Sequence, residues 1–124
     1  MRPIPYTPEN VERLRPAAGP EFAFMVDRWR LGSARAVEVV EGLFMVYAVE
    51  RGVFVILALA GIGLKQEAMD NIYGQAQRIG CRTIQYHSRH DKIASVAKRA
   101  GYEFQPDMMK DNQGFTIWRL EVLP

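Results

Sequence analysis

The pattern of apolar and polar positions divides the chain into an early helical part and a later part rich in strands. Pro3 and Pro5 restrict residues 2–6 to a short edge strand. Thr7 suits the capping position of a helix over residues 8–15, which the proline after it is expected to end. Residues 21–31 repeat apolar side chains at helical spacing. Two short helices are therefore predicted before the main strands.

The middle of the chain carries the strongest strand signals. Residues 36–40 form a weak candidate, whereas residues 43–49 and 53–60 are strong ones joined by a tight turn. The run 53–60 is apolar at every position instead of alternating with polar residues. Such a run is typical of a strand buried on both faces, which places it at the centre of a sheet with helices on both sides.

The second half alternates helices with strands and gives the composite order β-α-α-β-β-β-α-β-α-β-β. The predicted elements are a helix with an apolar stripe at 68, 72, 76 and 79, a strand at 82–86, a helix capped by Asp91 and ended by Gly101, and strands at 102–105 and 115–122. The sequence therefore predicts a mixed α/β domain with one sheet.

Length and composition limit the possibilities further. A chain of 124 residues and 14.1 kDa suits a single domain, residues 1–124, and 48% hydrophobic residues are ordinary for a globular protein. Cys81 is the single cysteine, which excludes a disulfide framework and a cysteine zinc cluster. The apolar stretch 53–64 is shorter than the roughly 20 residues of a membrane-spanning helix, and residues 1–10 do not resemble a secretory signal. A cytoplasmic protein without membrane contact is expected.

The net charge of +2 does not favour nucleic-acid binding, but the charge is unevenly distributed. Between residues 78 and 100 the only acidic residue is Asp91, and the basic residues are Arg78, Arg82, Arg89, Lys92, Lys98 and Arg99. The simplest interpretation is a solvated helix face. An anion-binding face, if there is one, is expected here.

The two histidines, His87 and His90, have the spacing of a possible metal-binding pair. A second pair of ligands is missing nearby, so we predict no metal site and expect loop residues that cap a helix or face solvent. Proton transfer by either histidine stays open. Ser88 lies between them without the surroundings of a hydrolase nucleophile.

Three segments in this order resemble the GNAT (GCN5-related N-acetyltransferase) family. They are residues 1–10 (MRPIPYTPEN), 53–64 (VFVILALAGIGL) and 93–102 (IASVAKRAGY). The resemblance implies a single mixed, mostly antiparallel sheet with helices on both faces, the acyl-CoA N-acyltransferase fold, and acetyl-CoA as cofactor. The compact form is similar to GNAT-like proteins of tailed phages.

The family's phosphate-binding turn carries an Arg or Gln, two residues, Gly, one residue, then Gly or Ala. The corresponding residues here are Ala58, Gly61 and Gly63, so both glycines are present and the basic or amide side chain is missing. The resemblance assigns cofactor contacts to Leu59, Ala60, Gly61, Ile62, Gly63, His90 and Lys98. We favour the simpler interpretation that Gly61 and Gly63 break a strand and start a helix.

The family's proton-transfer groups are largely missing. Its general-acid Tyr corresponds to Ala97, which cannot donate a proton, and residues 53–60 contain no carboxylate to serve as base. Glu50, His87 and His90 are the remaining candidates for proton transfer; Glu41 flanks the same strand as Glu50.

Two functions follow. We favour a binding or virion-assembly protein that acts through a protein partner, in the host cytoplasm or the virion, and whose acetyl-transfer site is eroded. The alternative is an acetyl-CoA-dependent N-acetyltransferase acting on a primary amine, with proximity supplying most of the rate. On the favoured interpretation, coenzyme A binds weakly or not at all.

Overall fold

The computed structural model describes the backbone of residues 1–124 and the side chains of all of them except Ala18 and Pro20. The helices are α1 (Pro8–Ala18), α2 (Phe22–Leu31), α3 (Gln66–Ile79) and α4 (Lys92–Arg99), and a 3-10 turn (Gly19–Glu21) joins the first two. The strands are β1 (Arg2–Pro3), β2 (Arg35–Val40), β3 (Leu43–Glu50), β4 (Val53–Gly61), β5 (Thr83–Ser88), β6 (Gln105–Lys110) and β7 (Thr116–Glu121).

The strands form one seven-stranded sheet in the order β1-β2-β3-β4-β5-β7-β6. Strands β4 and β5 are parallel, and the other neighbours are antiparallel. The prediction of a mixed, mostly antiparallel sheet is therefore confirmed. The apolar run of β4 lies at the centre, as its lack of alternation predicts.

Helices cover both faces of the sheet, but not to the same extent. The larger core lies under α3 and α4 and includes side chains of β2, β3, β4, β5 and β7. The smaller core lies under α1 and α2, and its strand residues come from β2, β3 and β4. Strands β5 and β7 thus contribute apolar side chains to one core and turn polar ones, such as Gln85 and Arg119, to the other face.

The cap predicted at Thr7 is confirmed, and glycines end the next two helices. The Thr7 hydroxyl accepts a hydrogen bond from the backbone amide of Asn10 at 3.2 Å and caps α1. Gly32 and Gly80 end α2 and α3 in the left-handed conformation. Cys81 is buried, and burial raises the pKa of its thiol. In the described part of the chain, no helix is both long and apolar enough to span a membrane.

Other local predictions are wrong. Helix α1 continues past Pro16 to its end at Ala18; in the last turn a proline interrupts few helical bonds, while Leu14 keeps the helix packed on β4. The strand predicted at 102–105 is misplaced. Residues 102–104 connect α4 to the sheet and bury Phe104, and β6 begins only at Gln105. Asp91 precedes α4 but its side chain makes no capping hydrogen bond within the described residues.

Candidate functional site

Strands β4 and β5 separate halfway along the sheet. They pair through Val53–Thr83, Phe54–Ile84 and Val55–Gln85. Beyond these pairs β4 stays with β3 as far as Gly61, whereas β5 stays with β7 as far as Ser88. The two strands therefore form a fork at the carboxyl end of β4, and the β4 edge that faces it has peptide groups free to bind another molecule.

A β-bulge distorts β4 inside the fork. Val46 pairs with Ala58, and the next residue of β3, Tyr47, pairs with Ile56. Leu57 is therefore the extra residue, and from there on the side chains exchange faces of the sheet. Bulges are frequent beside binding sites because they redirect the chain locally.

The turn after β4 needs a glycine at Gly61 for a reason within the fold. Its φ is +111°, and a Cβ atom there would lie 2.0 Å from the carbonyl oxygen of Gly42. This contact alone requires a glycine at this position, whether or not the turn binds a ligand. Gly63 has a φ of +107°, and a Cβ atom there would make only an ordinary 3.5 Å contact with Val40. The backbone conformation, not packing, therefore favours glycine at this position.

Helix α3 begins at Gln66, directly after this turn. Lys65 precedes the helix, and no side-chain cap is found there among the described residues. The amides of Gln66, Glu67 and Ala68 have no partner within a helix, and together with the helix dipole they attract an anion. The Gln66 side chain donates to the carbonyl of Ala100, so the C-terminal end of α4 lies beside this turn. The basic face of α4 is thus close to the helix start.

Beyond the fork, His87 lies in β5 and not in the loop predicted for it. Its Nδ1 is 2.8 Å from the Asp111 carboxylate, and its Nε2 is 3.0 Å from the Gln85 amide nitrogen. The Gln85 oxygen accepts from Arg119 Nε at 3.0 Å, and Arg119 also pairs with Asp107. Five side chains on the open face of the sheet therefore form one hydrogen-bonded chain.

Asp111 is held as a carboxylate. Burial alone would raise its pKa, but hydrogen bonds from His87 and from the amides of Phe115 and Gln113 outweigh burial and lower it below the ordinary value. These two amides, at 2.8 and 2.9 Å from Oδ1, also fix the tight turn between β6 and β7. The position of the carboxylate beside His87 is thus set by the hairpin.

The other candidate residues lie apart from this chain. Glu50 ends β3 at the opposite end of the sheet from the Gly61 turn and pairs with Arg28 at 2.7 Å. His90 is exposed, and its amide donates to the Ser88 hydroxyl at 3.0 Å, so Ser88 has a local turn role. Lys98 is exposed in the last turn of α4, 3.9 Å from Glu103. Arg89 lies over the Phe115 ring.

The positions at which the family places polar groups are part of the two cores. Ala58 is 4% exposed in the smaller core, and Ala97 is fully buried in the larger one. A buried polar atom is found at Tyr86, the residue after the last pair between β4 and β5. Its hydroxyl group has no hydrogen-bond partner among the described residues. Burial, above other causes, raises the pKa of Tyr86 to about 12.

Sequence reasoning missed Gln85, Arg119, Asp107 and Asp111. Asp111 lies between β6 and β7, and the residues around it in the sequence give no sign of its contact with His87. The alternation of β5 and β7 could have placed Gln85 and Arg119 together, since they are direct partners. Within the described residues no group of three or more potential metal ligands is found, histidines included.

Comparison with known proteins supports the fold. No protein-family model matches the sequence, and no curated protein sequence is similar to it. Among solved structures, an acetyltransferase of Bacillus subtilis in complex with CoA is similar at a TM-score of 0.66 and 15% identity over 98% of this chain and 95% of that one. Ard1 of Thermoplasma volcanium is similar at a TM-score of 0.60 and 16% identity over 96% and 95%.

An aminoglycoside 6'-N-acetyltransferase complexed with coenzyme A is also similar, at a TM-score of 0.56 and 12% identity over 95% of this chain and 93% of that one. Identities this low report on architecture and not on activity. The similarity extends over nearly the whole of both chains in each comparison. The chain therefore has the GNAT acyl-CoA N-acyltransferase fold.

Proposed function

We propose that the protein is an acyl-CoA-dependent N-acyltransferase that acts on a primary amine. The observation that carries this proposal is the fork between β4 and β5, which opens onto a glycine turn and the uncapped start of α3. Two structures of the same fold are described as complexes with CoA. This reverses the preference drawn from sequence, because a fork and a free helix start are of little use to a protein that binds no cofactor.

The residues around the fork fit a CoA molecule. The turn 61–63 and the first amides of α3 would hold the diphosphate, and Lys65 and Lys98 would add positive charge at that end. The free edge of β4 at Leu59 and Ala60 would bind the amide-containing arm through peptide groups. No side chain from Ala58 would take part, because it is buried in the smaller core. When bound, the cofactor supplies an activated acyl group.

Calorimetry with acetyl-CoA tests this proposal. We expect micromolar affinity for the wild-type protein and at least tenfold weaker binding for Gly63→Ala, because alanine disfavours a φ of +107° and would turn the amides of the loop away. Gly114→Ala is the matched control. It has a φ of +80°, open space around it, and a position in the β6–β7 turn. A wild-type protein that does not bind acetyl-CoA would refute the proposal.

A second candidate function is protein binding or virion assembly with no acyl transfer. Its support is the edge strand β6, where Met108 and Met109 are 99% and 73% exposed. The pairing of β6 with β7 is irregular between Pro106 and Lys110. Within this segment the Asp107 carboxylate accepts a hydrogen bond from the Met109 amide. Exposed apolar side chains on an edge strand suit contact with another protein. This function would be favoured if the wild type bound a partner protein but not acetyl-CoA, and if the double variant Met108→Lys/Met109→Lys no longer bound that partner.

A further inference from the structure

We propose that His87 accepts the proton of the acceptor amine and that Asp111 is the residue that positions it. The inference rests on the proposed acyl transfer, chooses His87 among the three proton-transfer candidates named from sequence, and adds Asp111 as its partner. Its evidence is the hydrogen-bonded chain on the open face of β5 and β7.

The chain of hydrogen bonds fixes the tautomer of His87. An ionised carboxylate can only accept, so Nδ1 of His87 carries the hydrogen that points to Asp111. Arg119 Nε donates to the Gln85 oxygen, which directs the Gln85 NH2 group towards Nε2 of His87. That nitrogen must therefore be the acceptor. The imidazole is held with its basic lone pair on Nε2.

His87 lies two residues past the last pair between β4 and β5, where the two strands separate. Gln85 pairs with Val55, so continued pairing in the same register would place His87 opposite Leu57, the bulged residue of β4. His87 is 33% exposed at its side chain and is accessible from solvent. The Gln85 amide N–H occupies the place that an N–H of an amine would take. An incoming amine can exchange with it.

Charged side chains of both signs surround His87. Asp111 comes from the β6–β7 turn and Asp107 from β6, while Arg119 of β7 pairs with Asp107. From the other elements, Glu21 accepts from Gln113 of the same turn, and Arg89 lies over Phe115. Lys110, directly before Asp111, adds a third cation, so the three carboxylates and the three cationic side chains balance. A primary amine would therefore be recognised here by its N–H donors to Nε2 of His87 and not by a net charge of the surface.

Two protons leave the amine nitrogen during the proposed acyl transfer. Nε2 of His87 takes one proton from the ammonium group, and the resulting imidazolium is stabilised by Asp111 through the Nδ1–H bond. The freed nitrogen lone pair forms the C–N bond with the thioester carbonyl as the C–S bond breaks. The leaving thiolate receives the second proton of the nitrogen, and His87 returns its proton to water. The products are an amide and a free thiol.

The decisive variant is Asp111→Asn. Its oxygen can still accept from the amides of Gln113 and Phe115, so the turn is kept, but its NH2 group now meets Nδ1. The imidazole is then expected to carry its hydrogen on Nε2, and the Gln85 NH2 group, which would face that N–H, must turn away from it. Nitrogen NMR of His87 in the full chain is expected to show the Nδ1–H tautomer in the wild type and the Nε2–H tautomer in the variant. Asp27→Asn, on the exposed face of α2, is the control and leaves the His87 tautomer unchanged.

Activity is measured as thiol release from acetyl-CoA with putrescine, spermidine or L-lysine. We expect kcat to fall about 100-fold in Asp111→Asn and in His87→Gln, which is within the usual range for loss of a base. In both variants the KM for acetyl-CoA and the calorimetric Kd for acetyl-CoA should stay at the wild-type values. Asp111→Glu should have a kcat between those of Asp111→Asn and the wild type.

Unchanged kcat or an unchanged tautomer in Asp111→Asn would overturn the inference while leaving the proposed function intact. Failure of the wild type to bind acetyl-CoA would overturn both, and the tautomer measurement, which needs no cofactor, tells the two cases apart.

Discussion

The two halves of the sheet differ in what covers them. Strands β2, β3 and β4 have apolar side chains on both faces, under α1 and α2 on one side and α3 on the other. Strands β5 and β7 contribute Ile84, Tyr86 and Leu120 to the larger core, while their other face carries the hydrogen-bonded chain around His87. The first half supplies stability, and the second half leaves polar groups free for chemistry.

The boundary between the halves is the fork. Because β4 needs no polar side chains, its central position gives the fork one rigid, apolar wall. Because β5 alternates between apolar and polar residues, it presents Tyr86 to the core and His87 to solvent. The position of candidate chemistry in this fold thus follows from a change in the period of burial between two neighbouring parallel strands.

The largest expected effect is that of Phe54→Ala in the covered half. Phe54 is fully buried and stacks on Tyr47 at 4.4 Å, so the substitution leaves a cavity and should lower the free energy of unfolding by about 3–5 kcal/mol. Its counterpart, Gln85→Ala on the open face, should cost less than about 1 kcal/mol. Urea denaturation measures both. Equal losses would mean that the open face is as important to stability as the core.

The next effect concerns the glycine that ends β4. Gly61→Ala would bring a Cβ atom onto the Gly42 carbonyl, so the backbone must move and we expect a loss of about 3 kcal/mol. Gly114→Ala keeps the left-handed strain without the contact and should cost about 1 kcal/mol. The difference between the two denaturation midpoints isolates the close approach. If it vanishes, the packing of the turn is not what requires Gly61.

The architecture could be predicted from sequence because burial leaves local patterns. The run at 53–60 identified the central strand, and apolar stripes identified helices on both faces. Pro16 shows where such rules fail: a local stop was outweighed by the packing of Leu14 in the same helix. The pattern of residues alone could not show why residue 61 must be a glycine, since the contact that requires it is with Gly42, in the turn before β3.

The candidate site was harder to predict, because its residues meet only through the register of the sheet. His87 was named from sequence, but Asp111 lies 24 residues further on and reaches it only when the β6–β7 hairpin folds beside β5. Glu50 was named because it flanks β3, and the strand direction carries it to the wrong end of the sheet. Residue type identified candidates, whereas strand pairing selected among them.

A smaller effect is expected at the start of α1, which covers the first half of the sheet. Thr7→Ala removes the hydroxyl that accepts the Asn10 amide and should lower the free energy of unfolding by about 1 kcal/mol. Thr7→Ser keeps the cap and should stay close to the wild type. Thermal denaturation of the three proteins compares them. A loss in the serine variant as large as in the alanine variant would point to the methyl group of Thr7 instead of the cap.

The smallest effect is a dependence on pH that should belong to the open half. The pKa of Asp111 is lower in the folded protein than the ordinary value of about 3.9, so ionised Asp111 stabilises the fold above that pH. This stabilisation is lost as the pH falls through the folded pKa, because the carboxyl group is then protonated in both states. The difference in urea midpoint between wild type and Asp111→Asn should therefore be present at neutral pH and shrink in acid. Phe54→Ala involves no titrating side chain, so its difference in urea midpoint from the wild type should stay the same across this pH range. If the difference for Asp111→Asn is equally independent of pH, the carboxylate charge of Asp111 contributes nothing to the stability of the fold.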